Sequence, residues 1–197
     1  MLDKIEDVDM TEALLIKKAK EGDHESFEAL ILSCKESAYN IALRFMKNEE
    51  DALDATQESF IKIYKNLSKF NEQSKFQTWV YRIVVNTCKD MLRKNKNVIY
   101  IDAGYKNEDE EDMPLEIPDK GPGPEEVLER KSESQFILKC LDMLSDEQRE
   151  VIILRDMRGL PYEEIADILE CSIGTIKSKI SRARQKFKEI YFMREQN

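Results

Sequence analysis

The chain has 197 residues, with 31 Lys+Arg against 40 Asp+Glu and a formal net charge of -9, enough length for one medium domain or two small ones. Charged residues make up 36%, Gly (6) and Pro (5) are scarce, and long periodic apolar patterns dominate, which points to a mainly helical protein. No apolar run approaches the roughly 20 residues of a membrane span, and the acidic start MLDKIEDVDM lacks a signal-peptide core, so a cytoplasmic protein with no membrane span is expected.

Residues 1–97 read as a first helical domain. Thr11 is a candidate N-cap for a helix running to about Lys20 and stopping near Gly22. Asp23 caps a longer helix from His24 to Met46, apolar at Phe27, Leu30, Ile31, Cys34, Ala38, Ile41, Ala42 and Phe45, and Asn48 breaks the pattern. The next helix, EEDALDATQESFIKIYKNL, carries acids in its first turn, where the helix dipole favours them. It is expected to bury Ala52, Ala55, Phe60, Ile63, Tyr64 and Leu67. Its outward set, Asp51, Asp54, Gln57, Glu58 and Lys62, is without further context an ordinary solvated face.

The loop KFNEQSKF leads into the helix TWVYRIVVNTCKDMLRKNK, whose apolar stripe is Val80, Ile83, Val84, Thr87 and Met91. On a helical wheel, Arg82, Asn86, Lys89, Arg93 and Lys96 share a second face, a basic one suited to nucleic-acid phosphates. Trp79 sits at the edge between the two faces, with Phe76 and Tyr81 near it. Core packing is the ordinary role for such aromatics; beside a basic stripe they can also stack on unpaired bases.

Residues 98–124 hold 2 basic against 8 acidic residues and end in Gly121-Pro122-Gly123-Pro124. Little helical periodicity remains there, so the segment reads as a flexible acidic linker.

A second helical domain is expected over residues 125–197. Ser132 to Leu144 is amphipathic through Phe136, Ile137, Cys140, Leu141 and Leu144. Ser145 and Gln148 form an S-x-x-Q capping box ahead of REVIILRDM, whose Val151, Ile152 and Leu154 pack inward. The segment PYEEIADIL points Ile165, Ala166, Ile168 and Leu169 inward, and the Glu163–Glu164 pair reads as a solvated helix face. Pro161 stands where a Ser or Thr cap is usual, and Glu170 occupies a turn position that favours Gly, at a cost on the order of 1 kcal/mol.

The stretch from Ser172 to Lys188 holds six cations and no acid. At roughly 100° per residue, Ile173, Ile176, Ile180, Ala183 and Phe187 share its core face. Gly174, Ser178, Ser181, Arg182 and Gln185 lie opposite, flanked by Lys177, Arg184 and Lys188 on one side and Thr175, Lys179 and Lys186 on the other. A charge run alone is most often a solvated face. Small polar groups between two basic rails, preceded by a short helix and a tight turn, form instead the helix-turn-helix pattern of a major-groove reader.

The four cysteines (Cys34, Cys88, Cys140, Cys171) show no C-x-x-C spacing, and His24 is the only histidine, so reduced cysteines are expected and a metal site is not. Phosphate-cradling glycine motifs are missing from the sequence, and little material exists for a general-base relay. The reading contains no catalytic centre and no cofactor.

In three stretches, DALDATQESFIKIYKNLSKF, FQTWVYRIVVNTCKDMLRK and LSDEQREVIILRDMRGLPYEEIADILECSIGTIKSKISRARQKF, the chain resembles the extracytoplasmic function (ECF) sigma factors of the sigma-70 family. The resemblance runs from about Met10 to Phe192 and implies an all-α fold of two domains, of the region 2 and region 4 types. It further implies that Asp51, Asp54, Gln57, Glu58 and Phe60 dock on the clamp coiled coil of core RNA polymerase. By the same resemblance, the Asn71–Phe76 loop captures a flipped base of the minus-ten promoter element, and the helix bearing Trp79, Arg82, Asn86, Lys89 and Arg93 reads and opens that element. The minus-thirty-five element would fall to Gly174, Thr175, Lys177, Ser178, Lys179, Ser181, Arg182, Gln185 and Lys186. Members are commonly held by an anti-sigma factor, and the linker would pass toward the RNA exit channel.

Trapping bases that have left the stack needs binding energy and no nucleotide hydrolysis. A free-standing duplex binder is usually basic, so at -9 promoter affinity is expected only with polymerase present. Two other classes stay open at this point: a free-standing helix-turn-helix regulator that acts without polymerase, and an interaction protein whose basic faces are incidental.

Overall fold

The computed structural model describes residues 3–101 and 124–195, with side chains described over 12–94 and 133–194. Among the described residues the regular elements are all helical. The first unit contains α1 (Asp3–Lys20), α2 (His24–Met46), α3 (Glu49–Asn66), a 3-10 turn (Leu67–Lys69) and α4 (Phe76–Ile101). The second contains α5 (Pro124–Asp142), α6 (Asp146–Ile152), a π turn (Ile153–Met157), α7 (Tyr162–Leu169) and α8 (Ile173–Glu195). The expected acidic linker falls mainly on 102–123, outside the described residues.

In the first unit α2 is the central helix, packed on α1, α3 and α4. Asp23 starts it by accepting the Ser26 amide at 3.1 Å, and the Ser26 side-chain and backbone bonds hold the Asp23 carboxyl below its usual range. Leu30, Ala38, Ile41 and Ala42 of α2 meet Ala52, Ala55 and Ile63 of α3 and Val80, Val84 and Cys88 of α4, all essentially inaccessible to water. Alanines at these crossings let the helix axes approach closely, and each fully buried Ile, Leu or Val contributes about 1.5–3 kcal/mol. Burial pushes the Cys34 thiol up from 9.0 to about 11 and the Cys88 thiol to about 12, so both pack as neutral apolar groups.

The second unit is built on the expected capping box. Ser145 Oγ accepts the Gln148 amide at 3.3 Å, and Gln148 Oε1 accepts the Ser145 amide at 3.3 Å. Behind it, Val151, Ile153, Leu154, Ile165, Ile168, Ile176, Ile180 and Ala183 form the core. The π turn widens the ladder: the Arg158 amide reaches back to the Ile153 carbonyl at 3.0 Å.

Several boundaries and faces differ from expectation. Thr11 lies inside α1, whose acidic residues before it are themselves favourable at a helix start. At the other end of the first unit α4 continues to Ile101, past the expected helix end at Lys96, and α5 begins at Pro124, ahead of the expected Ser132. Tyr64 is 50% exposed, because the buried stripe of α3 runs through Thr56 and Ser59 instead. Their hydroxyls donate to the carbonyls of Ala52 (2.7 Å) and Ala55 (2.6 Å), so these polar side chains enter the core with their donors satisfied. Ile173, expected inward, is 40% exposed in the first turn of α8.

Candidate nucleic-acid and polymerase interfaces

The turn between α7 and α8 sets the presentation of α8. Glu170 takes a left-handed conformation (φ 52, ψ 45), as the sequence implies, and its amide reaches the Ala166 carbonyl. The Cys171 amide reaches the same carbonyl at 3.1 Å, which closes the turn. Ser172 then caps α8, accepting the Thr175 amide at 3.2 Å; S-x-x-T was the sequence signal for this cap. Pro161 serves as the N-cap residue of α7 without a side-chain bond.

On α8, Ile176, Ile180 and Ala183 are buried, while Gly174, Thr175, Lys177, Ser178, Ser181, Arg182, Gln185 and Lys186 are exposed. The α8 cations are not equivalent. Arg184 makes a two-pronged contact with Asp156 of the π turn, Nε to Oδ2 at 3.0 Å, and that carboxylate raises the guanidinium pKa further. Lys179 lies 3.4 Å from Glu147, and Lys186 lies 3.3 Å from Glu189. Lys188 sits over the Phe192 ring at 5.8 Å. Among the described residues Lys177 and Arg182 pair with no acid, and Arg182 Nε only donates to the Ser178 carbonyl at 3.3 Å.

The α4 face is assembled less simply. Asn86 and Arg93 are exposed and Arg82 and Lys89 are partly buried, so the four share an accessible side. The Lys96 side chain lies outside the described residues. Phe76 is 1% exposed and Trp79 8%, and both pack with Phe70, ring centroids 5.7 and 5.1 Å away. These two aromatics are core in this structure and present no ring to a base. Asn71 is exposed at the loop tip and accepts the Gln73 amide at 3.3 Å. Its neighbour Glu72 adopts φ 61 and pairs with Lys20 at 2.7 Å, which ties the loop to α1.

On α3, Asp54 and Gln57 are exposed, Phe60 is partly buried, and Asp51 is engaged by the Asn48 cap. Glu58 pairs with Lys62 at 2.8 Å, a bond that holds its carboxyl below the usual range. Missed in the sequence were the apolar members of this face: Leu53 (50% exposed) and Ile61 (54%) join Tyr64 beside Gln57 and Phe60. Positions 53, 57, 60, 61 and 64 follow helical spacing, which was the available signal.

The two units also touch each other. Glu164 accepts from Lys75 Nζ at 2.8 Å and from Thr78 Oγ1 at 3.0 Å, so it is not the solvated residue expected. Glu150, only 3% exposed, pairs with Lys89 at 2.7 Å. Lys47 lies 3.4 Å from Asp142, and Arg158 donates to the Ser37 hydroxyl.

Comparison with known proteins fits this geometry. The Sigma-70 region 2 family matches residues 30–98 and the Sigma-70, region 4 family matches residues 135–187. The chain is 34% identical over 170 residues to the ECF RNA polymerase sigma factor SigW of Bacillus subtilis, covering 86% of this chain and 91% of that one. It is 31% identical over 177 residues to the RNA polymerase sigma-H factor of Pseudomonas aeruginosa, covering 87% and 89%. The sigma factor RpoE from Bartonella quintana, solved in complex with the anti-sigma factor NepR, superposes with a TM-score of 0.68 at 28% identity, covering 84% of this chain and 96% of its own.

Region 2 followed by region 4 defines a transcription initiation factor that directs RNA polymerase to promoters. The chain belongs to the ECF sigma factors of the sigma-70 family. A free-standing helix-turn-helix regulator is not favoured, because the first unit matches region 2 and is no unrelated sensor module. No helix among the described residues is long and apolar enough to cross a membrane.

Proposed function

We propose the following division of labour for this sigma factor. The α3 face of Asp51, Asp54, Gln57, Glu58 and Phe60 seats on the clamp coiled coil of core polymerase, with Leu53, Ile61 and Tyr64 adding apolar area at its centre. The Asn71 loop and the α4 groups Arg82, Asn86, Lys89 and Arg93 hold the minus-ten strand as it opens, while Phe76 and Trp79 stiffen the loop from beneath. The exposed face of α8, from Gly174 to Lys186, reads the minus-thirty-five duplex. The domains divide at the acidic segment, with 1–97 serving polymerase and the minus-ten element and 125–197 the minus-thirty-five element.

The observation that carries this reading is the exposed face of α8, small and polar at its centre and cationic at its edges, on a chain of net charge -9. A protein of that balance gains little non-specific affinity for DNA by itself and needs polymerase for the remaining contacts. The chain performs no covalent chemistry and works in the cytoplasm. An anti-sigma factor is its expected regulator, as NepR is for the similar Bartonella protein.

Run-off transcription with purified core polymerase on genomic fragments tests the reading. Specific start sites that require this chain are expected, with Arg82→Glu and Arg93→Glu abolishing opening while leaving polymerase binding intact. Transcription without discrete start sites would overturn it.

A further inference from the structure

Two of the contacts between the units fall on or beside groups assigned above to the minus-ten element and its loop: Glu150 with Lys89, and Glu164 with Lys75 and Thr78. Lys89 is one of the cations of the α4 face, and its ammonium is taken by the Glu150 carboxylate at 2.7 Å. Glu150 is 3% exposed, so it has left water and Lys89 is the charge that compensates it. At the start of α4, one carboxylate, Glu164, spans two groups: Oε1 meets Lys75 Nζ at 2.8 Å and Oε2 meets Thr78 Oγ1 at 3.0 Å. Two oxygens held by an ammonium and a hydroxyl reproduce the way a protein grips a backbone phosphate. Farther along, Asp146 and Glu150 line a shallow hollow with Lys89, Arg93, Leu92 and Phe45.

These ties are one-sided in a specific sense. Acids of the second unit (Asp142, Glu150, Glu164) meet Lys47, Lys89 and Lys75 of the first. The α8 face stays open throughout, with Gly174, Ser178, Ser181, Arg182 and Gln185 all exposed. In this closed arrangement the α8 face is open, whereas Lys89, Lys75 and Thr78 are already engaged by carboxylates of the second unit.

We propose that the second domain is an internal competitor for DNA: Glu150 and Glu164 occupy Lys89, Lys75 and Thr78 as phosphate mimics, so the free chain is latched shut at its minus-ten face. The inference rests on the assignment of that face to the minus-ten strand. Opening the latch is an exchange of partners, because the released carboxylates regain water as the cations gain phosphates. Polymerase, by holding the two domains apart, removes the competitor at the moment the strand is presented. A chain with its formal charge would already bind DNA weakly; the latch makes the weakness selective for single strands.

The test uses the full chain and its variants Glu164→Gln and Glu150→Gln. Fluorescence anisotropy is read with a fluorescein-labelled, mixed-sequence DNA single strand and with a mixed-sequence duplex, alongside the radius of gyration from small-angle X-ray scattering. Each variant is expected to bind the single strand about two- to fivefold more tightly than the parent, to expand, and to leave duplex affinity unchanged. Glu164, at 18% side-chain exposure on a helix surface, carries the test even where the buried Glu150 change disturbs folding. Unchanged single-strand affinity and unchanged radius in Glu164→Gln would overturn the latch. Equal gains for duplex and single strand would overturn it too, since simple loss of negative charge acts on both. Run-off transcription by the parent chain separates the two ideas: with discrete start sites present, a silent Glu164→Gln sinks the latch alone, whereas failure of transcription removes the minus-ten assignment beneath it.

Discussion

Glu170 shows how a single residue can be held against its own preference. Its left-handed conformation, φ 52 and ψ 45, is one that a side chain with a Cβ adopts at a cost of about 1 kcal/mol. The turn tolerates it because the Glu170 and Cys171 amides both end on the Ala166 carbonyl and because the flanking helices are fixed by Ile165, Ile168, Ile176 and Ile180. Glu170→Gly should therefore raise stability by about 0.5–1 kcal/mol, read as a higher midpoint in thermal unfolding, offset in part by the greater freedom of Gly in the unfolded chain. A lower midpoint would mean that the glutamate side chain contributes something the backbone geometry does not reveal. The position was legible in sequence because turn chemistry is local. Glu150 and Glu164 were not, because their partners Lys89 and Lys75 lie on another domain and no local pattern names them.

Among the helices, those with strong caps and regular apolar spacing matched their sequence reading most closely. The α2 helix begins and ends at the expected residues, and the Ser145–Gln148 box starts α6 as drawn. The α3 helix is less legible, since Thr56 and Ser59 look polar in sequence and turn inward because the helix's own carbonyls accept their hydroxyls. That rotation leaves Leu53, Ile61 and Tyr64 outside, where an unassisted helix gains nothing from them. Exposed apolar area concentrated on one face marks a docking surface. The paired substitution Leu53→Ser and Ile61→Ser is expected to leave the thermal midpoint nearly unchanged and to weaken capture of core polymerase at least tenfold in a pull-down titration. Each deleted contact would lose on the order of 1 kcal/mol or more at a buried interface, and tenfold corresponds to about 1.4 kcal/mol. Undiminished capture would show that the acidic residues suffice.

For the molecule as a whole, two helical domains separated by an acidic segment were visible in the charge distribution alone, whereas the contacts between them were not. Sequence periodicity reports which face of a helix is buried and is silent on which distant element buries it. Phe76 and Trp79 illustrate the same limit: their position beside a basic stripe fitted both core packing and base stacking, and only their cluster with the Phe70 ring shows them in the interior. The pairings along α8 have a further consequence, in the ions that must leave when DNA arrives. Six cations lie between Ser172 and Lys188, yet Lys179, Arg184 and Lys186 already face carboxylates. Among the described residues Lys177, Arg182 and Lys188 have no carboxylate partner, so these three displace condensed counterions without first giving up an acid. The logarithm of the duplex binding constant for the isolated chain should then fall against the logarithm of salt with a slope of about -2.7, from roughly 0.9 per phosphate neutralised. A slope near twice that would mean the carboxylates surrender their partners on contact, and any steeper dependence of the assembled polymerase would come from its other surfaces.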